Sequence, residues 1–162
     1  MAALRTDDDR IATVHASPLE RAQETAEPIA KALGCDLVTD DGLIEMDIGE
    51  WTGMSLKDAA KRPEWSTIQR YPSGFRFPDG ESFTEMQARM VTTIDRLRAA
   101  HPGQLVVAVS HAEPIRALVT HALGSHLDMF QRVVASPASV TVIAYGESGP
   151  TVLTVNATDD SP

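Results

Sequence analysis

Cysteine is almost missing from this chain: Cys35 is the single one in 162 residues. That excludes an internal disulfide framework and a cysteine-based zinc cluster, and it fits a reducing, cytoplasmic setting. Cys35 itself reads as a small packed apolar residue. Positive charge is scarce as well. Fourteen Lys and Arg stand against 23 Asp and Glu, a formal net charge of −9, which argues against nonspecific binding to nucleic acid or to an anionic membrane. An anionic substrate stays open, because a few local cations can dominate a small pocket. No apolar run approaches the length of a membrane span. The first residues, MAALRTDDDRIATV, hold no apolar signal core. There is no internal repeat, no glycine-rich Walker or dinucleotide loop and no Gly-x-Ser-x-Gly elbow for a Ser/His/Asp hydrolase.

What is present is an ordinary globular composition, 43% hydrophobic and 23% charged, and a length that predicts one domain with a real core. The domain is assigned to residues 1–157, with a frayed tail over 158–162. The central stretch is Leu105 to Leu118. Leu105 to Val109 is an unbroken, valine-rich apolar run, the pattern of a strand buried on both faces in a parallel sheet. It stops at Ser110-His111. A helical pattern then begins, with Ile115, Leu118 and Val119 on one face. Pro114 has no N–H to give and fits only the first turn. His111 therefore sits where a strand ends and a helix begins, the edge at which open α/β sheets bind ligands. The free N–H groups of the helix start suit an anion, so a histidine there is a candidate for phosphate chemistry. A capping or loop histidine is the plainer alternative.

The same layout occurs upstream. Ala2 to Arg5 reads as the tail of a helix, Asp7 to Asp9 as an acidic loop and Ile11 to His15 as a short strand. Ser17-Pro18-Leu19-Glu20 has the form of a helix start, with serine as the cap, proline at the first position and glutamate three beyond the cap. The helix is expected to run to Leu33, to be kinked or split by Pro28 and to end at Gly34. Arg21 lies in its first turn, where a cation opposes the helix dipole unless an anion is bound nearby. A solvated surface arginine is the alternative.

Cys35 to Val38 reads as a strand. The segment from Asp41 to Gly53 carries two late glycines, several carboxylates and Trp51, which mark an ordered loop able to carry function. Glu45, Asp47 and Glu50 are its possible acids or bases. Ser55 to Ala60 and Trp65 to Arg70 are helical. Tyr71 to Gly80 is rich in proline and glycine and reads as an inserted loop that could act as a lid. Ser82 to Glu85 is a second capping box. Phe83, Met86, Met90, Ile94 and Leu97 then form a stripe at helical spacing, read as core. Ser139 to Tyr145 and Thr151 to Asn156 are alternating strands joined by a glycine-bearing hairpin turn. His111-Ala112-Glu113 has the His-x-Glu form of zinc deaminases, but the required Pro-Cys-x-x-Cys is missing. His121 and His126 are spaced poorly for one helix face, and His15 and His101 have no evident partner, so no metal site is assigned.

Arg21, Glu45 and His111 remain as phosphate-compatible groups. Ser17-Pro18-Leu19-Glu20-Arg21-Ala22-Gln23-Glu24-Thr25 resembles a block of the histidine phosphatase superfamily, which includes cofactor-dependent phosphoglycerate mutases. Leu43 through Gly53 resembles its Leu-x-Glu-x-x-x-Gly-x-Trp-x-Gly block. Pro78-Asp79-Gly80-Glu81-Ser82 resembles its Pro-x-Gly-Glu-Ser block, and Val109-Ser110-His111 its second-histidine block. The four blocks stand in the family's order and cover Ile11 to about Tyr145.

The resemblance implies a phosphoglycerate mutase-like three-layer α/β/α fold with a mostly parallel sheet. It implies a histidine that attacks phosphorus and carries the phosphoryl group. By position, Arg21 is implied as a phosphate clamp, Glu45 as the proton donor and His111 as the second histidine. Ser110 and the Ala112 N–H are lesser phosphate-binding candidates. No nucleophile is found, because the family's Arg-His-Gly block occurs nowhere here. A first strand and its return helix, on the order of 30 residues, are expected to be missing. Neighbouring strands should then expose apolar faces and unpaired backbone, and self-association is a natural consequence.

The function implied is a phosphatase-like phosphohydrolase acting on a small phosphomonoester, without cofactor or metal and with no nucleic-acid or membrane partner. The Gly-x-Trp-x-Gly continuation after Glu45 favours it over a phosphoglycerate mutase-type phosphomutase. A non-catalytic phospho-ligand binding or interaction module is the third reading.

Overall fold

Ile11–Ala16 (β1), Asp36–Thr39 (β2) and Leu105–Val109 (β3) pair in parallel in the order β2-β1-β3. The structure is a computed structural model that describes residues 11–158. The expected helix tail at Ala2–Arg5 and acidic loop at Asp7–Asp9 lie outside the described residues. The chain forms two compact units. Among the described residues, unit 1 is built from residues 11–44 and 92–111, and unit 2 from residues 45–91 and 112–158.

Unit 1 holds the parallel sheet. Glu20–Leu33 forms α1, whose Ala26 and Ala30 pack with Val14 and Ala16 of β1 in one apolar cluster. Alternation along β1 turns Thr13 and His15 to the opposite face. Two sequence expectations change here. The first is the start of α1: its first residue is Glu20, and Leu19 caps it with no side-chain bond. The Ser17 hydroxyl is engaged elsewhere, as shown below. The second is Pro28, which does not split the helix, since α1 runs unbroken through it. Pro28 and Glu24, whose carbonyl would have been its partner, are both exposed, so water can satisfy the orphaned carbonyl.

A third expectation fails at β3. Among the described residues β3 pairs only with β1. None of its residues is fully buried, and Leu105 is 50% exposed. A valine-rich run reports apolar surroundings, but it does not say which strand lies along each edge.

Phe83–Ala100 (α4) starts on the expected capping box. Ser82 Oγ accepts from the Glu85 N–H (3.2 Å) and Glu85 Oε2 accepts from the Ser82 N–H (2.9 Å). The hydrogen-bonded ion pair with Arg76 and, after it, the bonds from Ser82 hold the Glu85 carboxyl down to about 2. The distal part of α4 belongs to unit 1, where Arg96 bonds Asp40 (2.6 Å). His15 lies beside this pair, its Nδ1 3.6 Å from Asp40 Oδ2 and its ring edge-on to His101. Neither ring nitrogen of His15 has a hydrogen-bond partner.

Burial drives the His15 imidazole below its ordinary value of 6.5. The Asp40 charge opposes this shift, while His101 and Arg96 add to it. Burial pushes the Asp40 carboxyl up, but the Arg96 bond, the Gly42 N–H and the Arg96 charge outweigh it and hold it below its usual range. The unfolded chain thus takes a proton on His15 near pH 6.5 that the folded chain refuses. Stability is flat above that pH and falls as the pH drops below it. The Asp40 contribution is lost only at lower pH, as that carboxylate is protonated in the fold. Urea midpoints measured from pH 7.5 to 5 are expected to decline for the native sequence and to decline less for His15→Leu. Coincident slopes would show that His15 is not the titrating group.

Unit 2 contains the first part of α4, Leu56–Ala59 (α2), Trp65–Arg70 (α3), Ala112–Ala122 (α5) and an antiparallel hairpin of Val140–Gly146 (β4) and Gly149–Ala157 (β5). Ala157, the last residue assigned to the domain, pairs with Val140. The core of unit 2 is aromatic: Trp51, Phe77, Phe83 and Phe130 are each at most 5% exposed and contact one another in a chain. Phe77 and Pro72 are buried and the Ser73 N–H is held by Asp128 (2.9 Å), so Tyr71–Gly80 is packed structure and not a free lid. The Gln87 amide donates to the Ala117 carbonyl (2.9 Å), tying α4 to α5. Val140 and Leu153 of the hairpin, like Leu105 of β3, leave large apolar surface in solvent. Among the described residues no helix is long and apolar enough to cross a membrane.

Candidate active site

The carboxyl ends of the three parallel strands are pinned to one another by backbone. The Ser17 N–H donates to the Val109 carbonyl (3.0 Å) and the Asp40 N–H to the Ala16 carbonyl (2.8 Å). This continues the ladder past the strand ends and places Ser17 and Ser110-His111 side by side on neighbouring strands. His111 is 7% exposed and Ser17 fully buried, and His111 Nε2 lies 2.7 Å from Ser17 Oγ. The Leu19 N–H donates to the same hydroxyl (3.3 Å), so the serine hydrogen is available to Nε2 when the ring is neutral. An imidazolium instead donates through Nε2. The Gln23 amide clamps the Ser17 carbonyl (2.6 Å). Together these bonds fix the imidazole in one orientation and explain why Ser17 does not cap α1.

Ser110 gives its hydroxyl hydrogen to the Leu43 carbonyl (2.7 Å). This anchors the chain two residues before Glu45. Arg21 stands in the first turn of α1 on its exposed side, its carbonyl accepting from the Thr25 hydroxyl (2.9 Å). The Ala112 N–H opens α5 directly after His111 in the chain, and first-turn N–H groups have no partner inside their own helix. The structure thus brings Ser17, Ser110 and His111 together at the sheet rim of unit 1. Glu45 and Ala112 belong to unit 2.

Within unit 2, Glu45 is half-buried and its Oε1 accepts from the Met46 N–H (2.9 Å). Glu45 lines a cavity of about 590 Å³ whose walls include Trp51, Phe83, Phe130, Arg116 and Glu113. The loop that carries Glu45 is locked to the Pro78–Glu81 turn. The Glu50 N–H donates to the Pro78 carbonyl (3.0 Å) and the Glu81 N–H to the Asp47 carbonyl (2.8 Å). Arg89 grips the Glu81 carboxylate with Nε and an Nη at 2.8 Å each. Asp47 and Glu50 are exposed. Asp47 caps the Gly49 N–H (2.9 Å), a turn-building role.

Two groups escaped the sequence reading. Ser17 was read only as a cap, although strands that are parallel neighbours must bring their end residues together. Trp51 and Arg116 were read as loop and helix residues, and only the packing of α5 against the aromatic cluster makes them cavity walls.

Residues 2–158 match the profile of the histidine phosphatase superfamily, branch 1. Phosphoserine phosphatase 1 of Hydrogenobacter thermophilus is 31% identical over 160 residues, covering 93% of this chain and 72% of that protein. A bifunctional protein of Mycobacterium tuberculosis is 36% identical over 150 residues, covering 91% of this chain but 41% of its own length. The chain therefore spans only about two fifths of that relative. Among solved structures, YhfR of Bacillus stearothermophilus aligns with a TM-score of 0.85 at 22% identity, over 92% of this chain and 75% of that one. A mycobacterial glucosyl-3-phosphoglycerate phosphatase aligns with a TM-score of 0.81 at 22% identity, over 93% and 78%. The α/β fold is that of the phosphoglycerate mutase-like phosphatases.

Proposed function

The chain belongs to the histidine phosphatase superfamily, and on that premise we propose that it supplies the phosphate-holding and proton-donating parts of a phosphohydrolase for small phosphomonoesters. The observation that carries this reading is the buried His111–Ser17 pair at the carboxyl rim of a parallel sheet. A neutral apolar pocket has no use for such a pair, whereas a developing negative charge on phosphate oxygens does.

In this reading Arg21 clamps the phosphate and His111 donates to its oxygens. Ser110 and the Ala112 N–H complete the cradle. A histidine nitrogen forms a bond to phosphorus as the ester P–O bond breaks. The leaving oxygen takes the electron pair and a proton from Glu45. Water deprotonated by Glu45 then attacks phosphorus, and the P–N bond breaks to release inorganic phosphate.

The five histidines of the sequence are His15, His101, His111, His121 and His126. None stands in an Arg-His-Gly block. That favours a second reading: a non-catalytic module that binds phosphomonoesters without turning them over.

Chemical rescue separates the two readings. Free imidazole can take the place of the nucleophile, attacking phosphorus to give N-phosphoimidazole, which then hydrolyses. Phenyl phosphate and p-nitrophenyl phosphate are expected to be cleaved slowly in plain buffer and faster with added imidazole. Glu45→Gln should cut the imidazole-promoted cleavage of phenyl phosphate by roughly 100-fold. Its effect on p-nitrophenyl phosphate should be much smaller, since that leaving group needs no proton. Phosphate binding with no imidazole-promoted turnover supports the binding module, and absence of phosphate binding removes both readings.

A further inference from the structure

A cluster of titratable and charged side chains in unit 1 has no part in the phosphate chemistry described above. Asp40 is its hub and is 8% exposed. Asp40 Oδ2 accepts from Arg96 (2.6 Å) and Oδ1 accepts from the Gly42 N–H (3.0 Å). The second bond caps the single helical turn Asp41–Leu43. His15 stands beside the carboxylate, its Nδ1 3.6 Å from Oδ2, and the His101 ring meets the His15 ring edge-on with centroids 6.0 Å apart. The strand neighbours of His15 are Val38 and Ala108, which do not titrate. Asp40, Arg96 and His101 are therefore the groups whose charge His15 feels.

The capped turn leads directly to the rim of the sheet. Leu43, its last residue, is fully buried, and the Leu43 carbonyl accepts from the Ser110 hydroxyl (2.7 Å). Ser110 is followed by His111. In the middle of the turn, a Cβ on Gly42 would fall 1.9 Å from Thr93 Oγ1. The turn thus lies hard against α4, with no slack on that side. The cap at Asp40 and the anchor at Ser110 are two ends of one short, tightly packed piece of backbone.

We propose that Asp40 is a positioning residue for Ser110 and His111, and that a proton on His15 releases it. The proposal rests on the reading that His111 binds phosphate. While the ring is neutral, 3.6 Å is too long for a hydrogen bond, and the carboxylate serves Arg96 and Gly42. Burial keeps the ring in that state at neutral pH. A protonated ring is a buried cation that needs a partner, and Asp40 is the carboxylate beside it. The carboxylate turns toward the new N–H, Oδ1 leaves the Gly42 N–H, and the turn loses its cap. The Leu43 carbonyl then slips from Ser110, and the strand end that carries His111 loosens. The site is held at neutral pH and let go in acid, as expected of a histidine-controlled contact.

Sulfate is the probe, because its charge is constant over the range in which phosphate changes its own. Its affinity for the native protein and for His15→Leu is measured from pH 7.5 to 5.5 by isothermal titration, with circular dichroism confirming the fold at each pH. The ratio of the two affinities cancels the titration of His111 and His101, which both proteins share. That ratio is expected to be near one at pH 7.5. At pH 5.5 the native protein should bind about fivefold more weakly, the worth of one released hydrogen bond. Asp40→Asn keeps an acceptor for the Gly42 N–H but has no charge to draw His15. It should bind sulfate like the native protein at pH 7.5 and lack the acid loss. Asp40→Ala loses the cap as well and should bind about fivefold more weakly at both pH values.

A ratio that stays at one across the range, or an acid loss that persists in Asp40→Asn, overturns the proposal. The backbone N–H signals of Gly42 and Ser110 in a ¹⁵N-resolved proton spectrum distinguish its failure from failure of the phosphate reading. If acid shifts them in the native protein but not in His15→Leu, and sulfate does not bind, the linkage stands and the phosphate site does not. If sulfate binds through His111 while these signals ignore His15, the phosphate site stands and the linkage is wrong.

Discussion

His111→Ala is expected to weaken inorganic phosphate binding by roughly 10- to 100-fold at neutral pH, the worth of one hydrogen bond to a charged group. The loss of turnover with a phosphate ester should be larger, about 100- to 1,000-fold, because a donor aimed at developing charge counts for more in the transition state. The reason is positional. The His111 ring is buried and held by Ser17 Oγ at 2.7 Å, so little reorganisation is needed when an anion arrives. Ser17→Ala tests that statement. It leaves the imidazole in place but releases it, and about a five- to tenfold loss in phosphate affinity is expected. The double variant should then be barely worse than His111→Ala, because a serine that acts only by orienting the ring has nothing left to orient. Isothermal titration with phosphate measures all three, with circular dichroism to confirm that each variant is folded. Strictly additive losses would show that Ser17 touches the ligand itself, and no loss on His111→Ala would remove the phosphate site.

The contrast between Ser17 and His111 shows where the sequence is legible. The apolar run of β3 and the proline in the first turn of α5 place His111 at a strand end without coordinates. The alternating hairpin, the capping box at Ser82 and α3 are equally readable, because each rests on contacts within a few residues. Ser17 misled for a physical reason: its local pattern offers a helix cap, and a partner 94 residues away takes the hydroxyl. Edge against centre in the sheet was unreadable for a related reason, since β3 carries the same valines whichever neighbour it has. The segment from Tyr71 to Gly80 looked like solvent-exposed punctuation, yet Phe77 and Pro72 sit in the core. Proline and glycine announce turns, but they say nothing about what the turn packs on.

Gly49→Ala should destabilise the fold by at least about 3 kcal/mol, the sum of a left-handed backbone imposed on a side chain and overpacking with no slack. Gly49 has a φ of +49°. A Cβ there would lie 2.0 Å from the Pro78 carbonyl oxygen and 2.7 Å from the Gly80 nitrogen. These are backbone atoms of the turn that exchanges hydrogen bonds with Asp47 and Glu50, so no side-chain rotation can relieve the contact. Backing away would break the Glu50–Pro78 bond and strain the Glu81–Arg89 grip. Gly53, four residues on, is the built-in control. It too has a positive φ, +79°, but a Cβ there meets nothing within 4 Å, so Gly53→Ala should cost only the conformational part, about 1–2 kcal/mol. Urea unfolding followed by tryptophan emission gives both values, since Trp51 lies between the two glycines. Equal losses at the two positions would mean that Gly49, the first glycine of the loop block, is kept for backbone freedom alone. A large excess at Gly49 means that the docking of this loop onto the Pro78–Glu81 turn sets where Glu45 and Trp51 stand.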